Sequence, residues 1–162
     1  MGEAIEHVPG RVTYLVCVDD SEDCRVALRF ASLRAHNTDG HVVLLYVIEP
    51  ADFQHWMAVG KVMEEEKRQE AEQIVQTLAA EVYDYAGVRP ILFVREGRKG
   101  DELLKLIDEE PSIDVMVLGA APEGKGSNEL VRMLTGELTK RLKIPLVIVP
   151  GDLTDEQLVQ LT

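Results

Sequence analysis

Short runs of β-branched and apolar residues recur at residues 12–18, 41–48, 90–94, 113–118 and 145–149. Most are continuously apolar rather than alternating, the pattern of strands covered on both faces, as in a parallel sheet. Between them the apolar residues fall at helical spacing. Val26, Ala27, Phe30 and Ala31 share one face of 22–36. Ala71, Ile74, Val75, Leu78, Val82 and Tyr85 recur in the long stretch ending near Ala86. Leu103, Leu104 and Ile107 mark 101–110, and Val131, Leu134, Leu138 and Leu142 mark a single helix over 128–142. Each connection is long enough for a right-handed crossover. The pattern predicts one α/β domain over residues 1–162, with its core at about 11–150. The architecture expected is a single doubly wound, Rossmann-like or flavodoxin-like sheet of five parallel strands in the order 3-2-1-4-5. Thr154-Asp155-Glu156-Gln157 has the form of a capping box and predicts a short C-terminal helix over about 154–161.

Charge narrows the partners. Lys and Arg number 17 and Asp and Glu 29, a net charge of −12. Binding to nucleic-acid phosphate over a wide area needs a basic surface, so nucleic acid is not expected as a partner. The same sign disfavours an anionic membrane surface. The longest apolar runs, such as 42–48, fall far short of the roughly 20 residues of a membrane helix. The segment 1–6 is acidic and lacks the basic and apolar regions of a secretory signal. Cys17 and Cys24 match no common zinc or redox spacing, and His7, His36, His41 and His55 are scattered, so no metal site is expected. Cytoplasm, with both thiols reduced, is the expected compartment.

Ligands of open α/β sheets sit beyond the carboxyl ends of the strands, where strand order reverses. The residues there are Asp19-Asp20-Ser21 after the first strand, Glu49-Pro50 after the second, 95–100 after the third and 119–128 after the fourth. Only the last is rich in glycine, serine and lysine. Gly119, Gly124 and Gly126 in a strand-to-helix loop can aim successive N–H groups at one anion, with Ser127 beside them. A phosphate cradle and an ordinary surface turn are both open readings. The loop is not a Walker A motif, and no dinucleotide fingerprint follows the first strand.

Over roughly residues 11–150 the sequence resembles the universal stress proteins. Val16-Cys17-Val18-Asp19-Asp20-Ser21-Glu22 is similar to the family's opening strand and turn, and Leu44-Leu45-Tyr46-Val47-Ile48-Glu49-Pro50 to its second strand. The stretch from Val117-Leu118-Gly119 through Gly136 to Ile148-Val149 is similar to its C-terminal signature, G-x2-G-x9-G-[ST]. The resemblance implies an adenine nucleotide, ATP or ADP with Mg²⁺. It places Asp19 on the ribose, Val47 at the adenine, and Gly119, Gly126 and Gly136 around the phosphates. Gly126 and Gly136 keep the nine-residue separation, but six residues rather than two separate Gly119 from Gly126. Glu137 stands where the family has a hydroxyl, which would set a carboxylate against phosphate oxygens; Thr139 matches a second family hydroxyl. The alternative to a nucleotide-binding stress-response module is therefore a protein-interaction module whose cradle Glu137 disables. The resemblance also implies a homodimer paired along the last strand, through Leu146, Val147, Ile148 and Val149.

The remaining features have plainer readings. Ser21 reads as the cap of the first helix, with Glu22 and Asp23 complementing its dipole. Asp19-Asp20 would suit a response-regulator receiver, but that site also needs an Asp ending strand three and a Lys ending strand five, and these are missing. Arg95, Arg98 and Lys99 form a basic knot that reads as a solvated turn, with a phosphate or a partner's acids as the functional alternative. The segment around Phe53 and Trp56 reads as the first turns of the long helix, with a lid or a docking surface for an unidentified protein partner as the alternative. No catalytic constellation is present, so the chain is not expected to be an enzyme beyond a weak ATPase activity.

Overall fold

Tyr14, Leu15 and Val16 lie at the centre of the sheet, paired with 42–44 on one side and 115–117 on the other. The structure is a computed structural model and describes residues 9–50, 60–126 and 128–162. Its elements are β1 (Thr13–Cys17), α1 (Glu22–Thr38), β2 (His41–Ile48), α2 (Gly60–Ala86), β3 (Ile91–Glu96) and α3 (Lys99–Glu109). They continue with β4 (Val115–Ala120), α4 (Glu129–Thr135), a 3-10 turn (Thr139–Arg141), β5 (Leu146–Pro150) and α5 (Asp155–Leu161). All pairings are parallel and the order is β3-β2-β1-β4-β5, as the pattern predicts. The order reverses between β1 and β4, which puts a crevice beyond their carboxyl ends.

Strand alternation divides the interior into two cores. Tyr14, Val16, Val42, Leu44 and Val117 face α1 and α2, where Val26, Leu28 and Ala31 meet Val75, Leu78 and Val82. Leu15, Val43, Leu45, Met116 and Leu118 face α3 and α4, against Leu103, Leu104, Leu106, Ile107 and Leu134. Both faces of the central strands are covered, which is why their sequences are continuously apolar.

The helix expected over 128–142 breaks. α4 ends at Thr135, and Gly136 leaves the helix so close to the preceding turn that a Cβ there would lie 2.7 Å from the Arg132 carbonyl oxygen. The Leu138 N–H then reaches the Met133 carbonyl at 3.0 Å, and the Thr139 hydroxyl donates to the Leu134 carbonyl at 2.8 Å. A 3-10 turn follows, with Leu138 and Leu142 still packed against the α3/α4 core.

The tail helix is as expected. Thr154 and Gln157 form a reciprocal capping box. Leu158 is fully buried in the α1 core, worth roughly 1.5–3 kcal/mol. Arg34 and Asn37 of α1 hold the Thr162 carbonyl at 3.0 and 2.9 Å. The tail thus lies on α1 of its own chain.

Candidate functional site

The β1–α1 turn is built from its own side chains. Asp19 Oδ1 accepts the Ser21 N–H at 2.8 Å, an Asx turn, and Ser21 Oγ accepts the Cys24 N–H at 3.2 Å as the helix cap. The Asp19 N–H points to Cys24 Sγ at 3.4 Å. The second Asp19 oxygen has no hydrogen-bond partner among the described residues and lies at the crevice.

Two glycines let α1 begin there. A Cβ on Gly119 would lie 2.1 Å from the Asp23 carbonyl oxygen, and one on Gly151 would lie 2.6 Å from Asp23 Cβ. Gly119 is the fifth residue of β4 rather than part of a loop, and its first role is this close approach of strand and helix.

The β4–α4 loop is cinched at its base. Asn128, itself left-handed at φ 49°, accepts the Ala121 N–H at 2.7 Å and donates to the Ala121 carbonyl at 3.1 Å. Inside the loop the Lys125 N–H reaches the Pro122 carbonyl at 3.0 Å, and Gly124 takes φ 77°. Gly126 packs over Ala121, where a Cβ would lie 2.6 Å from the Ala121 Cβ. The N–H groups of Glu123, Gly124 and Gly126 have no partner among the described residues.

Across the sheet, the β3–α3 connection separates the three basic residues. Arg95 turns away to pair with Glu109 at 2.7 Å and to lie over Phe93, and its hydrogen bond holds the Glu109 carboxyl below its ordinary range. Arg98 and Lys99 instead line the crevice. Gly100 lets α3 close on the α4 region, since a Cβ there would lie 2.6 Å from Leu138 and 2.7 Å from Met133 side-chain atoms. The start of α3 and the β4–α4 loop line the same cleft, through Arg98 and Lys99 on one and Lys125 and Gly126 on the other.

Together these pieces enclose a cleft of about 670 Å³, within the size range of small-molecule sites. Its lining carries the acids Asp19 and Asp23 from the β1–α1 turn, Glu49 after β2 and Glu129 at the start of α4, together with the cations Arg98, Lys99 and Lys125. Cys17 and Cys24 lie in its wall as free thiols. Burial pushes each thiol up to about 12, the Lys99 ammonium working against this at Cys17. Both are therefore protonated at neutral pH and poor nucleophiles. Among the described residues no group of three or more His, Cys, Asp or Glu side chains is placed to hold a metal ion.

Of the residues singled out in the sequence, the cleft brings together Asp19, Gly119 and Gly126, with Arg98 and Lys99 of the basic knot. Gly124 is exposed at the loop tip. Val47 is buried in the α3/α4 core, while Glu49 and Pro50 after it reach the cleft wall. Gly136, Glu137 and Thr139 are exposed on the turn after α4 and are not among the lining residues. Ser127 and the segment with Phe53 and Trp56 lie outside the described residues. On β5, Ile148 is 40% exposed, Leu146 and Val147 are half-buried and Val149 is buried. Sequence reasoning missed Cys17, Cys24 and Met133 as lining residues. For the two thiols the signal was there: they bracket Asp19, one ending β1 and the other in the first turn of α1.

A family model described as "Universal stress protein family" matches residues 13–150. No curated protein sequence matches the chain. Several solved structures share its fold. A universal stress protein family member from Burkholderia pseudomallei is 17% identical, covering 89% of this chain and 99% of that one, with a TM-score of 0.68. A universal stress protein family protein from Arabidopsis thaliana with AMP bound is 17% identical, covering 86% and 91%, with a TM-score of 0.59. The universal stress protein from Archaeoglobus fulgidus in complex with dAMP is 16% identical, covering 86% and 98%, with a TM-score of 0.54.

Proposed function

The chain belongs to the universal stress protein family, and from that premise we propose that it is a dimeric cytoplasmic signalling module that binds an adenine nucleotide, ATP or ADP with Mg²⁺. The observation that carries this reading is the cleft itself. At the point where strand order reverses, Asp19 keeps a carboxylate oxygen without a hydrogen-bond partner among the described residues, and the β4–α4 loop contributes Gly126, whose N–H has none there either. A ribose hydroxyl is a donor for the first and phosphate oxygens are acceptors for the second. Two proteins of the same fold carry AMP and dAMP. Mg²⁺ would arrive on the phosphates. The exposure of Glu137 and its place outside the cleft lining favour this reading over a cradle that Glu137 disables.

Binding rather than turnover is the proposed role. The cleft thiols are protonated at neutral pH and so supply no nucleophile. Dimerisation is proposed along β5, whose outer edge is unpaired in the sheet and presents Ile148. Occupancy would order the 121–128 loop and so alter the surface offered to a protein partner.

Titration calorimetry with Mg-ATP tests the reading. The expected result is saturable binding that weakens at least about tenfold in Asp19→Asn, a change that keeps an acceptor for the Ser21 N–H but removes the charge. Absence of heat at millimolar nucleotide, with a folded protein, overturns it. Sedimentation of Ile148→Lys tests the pairing: a monomer is expected where the parent chain is a dimer.

A further inference from the structure

The cleft's cations and its phosphate-end geometry do not match the pattern carried by the signature. The turn 136–139 lies off the cleft wall, and the Thr139 hydroxyl already donates to the Leu134 carbonyl. In its place the cleft presents Arg98, Lys99 and Lys125, none of which has an ion-pair partner among the described residues. Lys67, Arg89, Lys105 and Lys140 likewise have no ion-pair partner among the described residues, but they do not line the cleft. Arg25, Arg29, Arg68, Arg95, Arg141 and Lys143 are all paired with carboxylates.

Placement argues for a common target. Arg98 and Lys99 open α3, and Lys125 rises from the β4–α4 loop. Both α3 and α4 pack on the same face of the sheet, and Gly100 against Met133 and Leu138 fixes them side by side. Lys99 is half-buried, lines the cleft, and its charge acts against the effect of burial on the Cys17 thiol in the same wall. The acids Asp19, Asp23 and Glu49 share the lining, as does Glu129 at the start of α4. A ligand that offers hydroxyl donors to the acids and several negative charges to the cations fits this lining, whereas one with a single phosphate leaves cations unmatched.

The geometry points to Arg98, Lys99 and Lys125 as a three-cation clamp that selects a nucleoside triphosphate over a monophosphate, replacing the phosphate contacts of the turn after α4. The clamp rests on the adenine-nucleotide reading above and names the phosphate number that the site takes. Arg98 contributes a planar fork suited to two phosphate oxygens, and the two lysines act as point charges. Three partly solvated charge pairs, each worth about three- to tenfold, predict a preference for ATP over AMP of at least about 30-fold.

Calorimetry at fixed ionic strength tests this with ATP, AMP and inorganic tripolyphosphate on the parent chain, on Arg98→Ala/Lys99→Ala and on Lys125→Ala. None of the three side chains makes a hydrogen bond among the described residues, and unchanged thermal melting of each variant confirms that it folds. The expected result is ATP binding weakened about 30-fold in the double variant and about fivefold in Lys125→Ala, with AMP changed less than about threefold. Equal affinity of the parent chain for ATP and AMP, or equal losses of both in the double variant, overturns the clamp and leaves nucleotide binding standing. Tripolyphosphate binding as tightly as ATP, and lost in the double variant, supports the clamp and removes the adenine reading. No binding of any of the three to the folded parent chain overturns both.

Discussion

In the β1–α1 turn the backbone N–H groups of Asp19, Ser21 and Cys24 all find side-chain acceptors within the turn. In the β4–α4 loop across the cleft, the Ala121 N–H has a side-chain acceptor in Asn128 and the Lys125 N–H a backbone one in Pro122, while those of Glu123, Gly124 and Gly126 have none among the described residues. The turn is braced before any ligand arrives, and α1 is wedged against Gly119 and Gly151. The loop is fixed only at its base by Asn128 and leaves its donors open. One side of the site is framework and the other is receptor. Glycine serves both, by permitting close approach at Gly119 and a left-handed backbone at Gly124.

The largest test of that contrast is a pair of identical substitutions. Gly119→Ala puts a Cβ about 2 Å from a backbone oxygen that cannot swing away, so it should cost about 3–5 kcal/mol or prevent folding. Gly124→Ala meets open space and pays only for its left-handed φ, about 1 kcal/mol. Chemical denaturation of both variants checks this, and equal midpoints would erase the distinction. A second test uses alkaline pH. The cleft thiols have an ordinary value of 9.0 and sit at about 12 when folded. Above pH 9 the unfolded chain gives up protons that the folded one keeps. Their contribution is therefore complete below pH 9 and lost between 9 and 12, with a slope of up to ~1.4 kcal/mol per pH unit for each thiol. Denaturant midpoints in Cys24→Ala should show a shallower alkaline decline than the parent chain; an unchanged slope contradicts the burial argument.

Asn128→Ala removes both bonds to Ala121 and asks alanine for a left-handed backbone, a loss of about 1–3 kcal/mol. Asn128→Gly restores the backbone alone, so comparing the two melts isolates the side-chain clamp. The smallest expected effect is at Glu137. Because its side chain is exposed and off the cleft wall, Glu137→Ser should change nucleotide affinity less than about twofold. A gain of tenfold or more would return that carboxylate to the phosphate site.

The sheet was legible because burial on both faces leaves its mark on consecutive residues, as in 42–45 and 115–118. The tail helix was legible because a capping box is local, written in four adjacent residues. The break after α4 was not, since the 3-10 turn keeps Leu138 and Leu142 on the core side and so preserves the helical spacing. Gly119 was visible as a glycine, but a sequence does not distinguish a glycine needed for a turn from one needed for close approach; that depends on Asp23 arriving from another element. Arg98 and Lys99 read as a solvated turn for a similar reason. Their place in the cleft follows from Gly100 meeting Met133 and Leu138, a contact between distant parts of the chain.

The central claim is that the donors after β4 and the cations opening α3 converge on one ligand beside Asp19. Amide hydrogen exchange of the full chain with and without saturating Mg-ATP tests it most directly. Slowed exchange at 97–101 and 120–126, with α5 and β5 unchanged, is the result the account predicts. Unaltered exchange in both segments, or protection confined to some other face of the sheet, would contradict it.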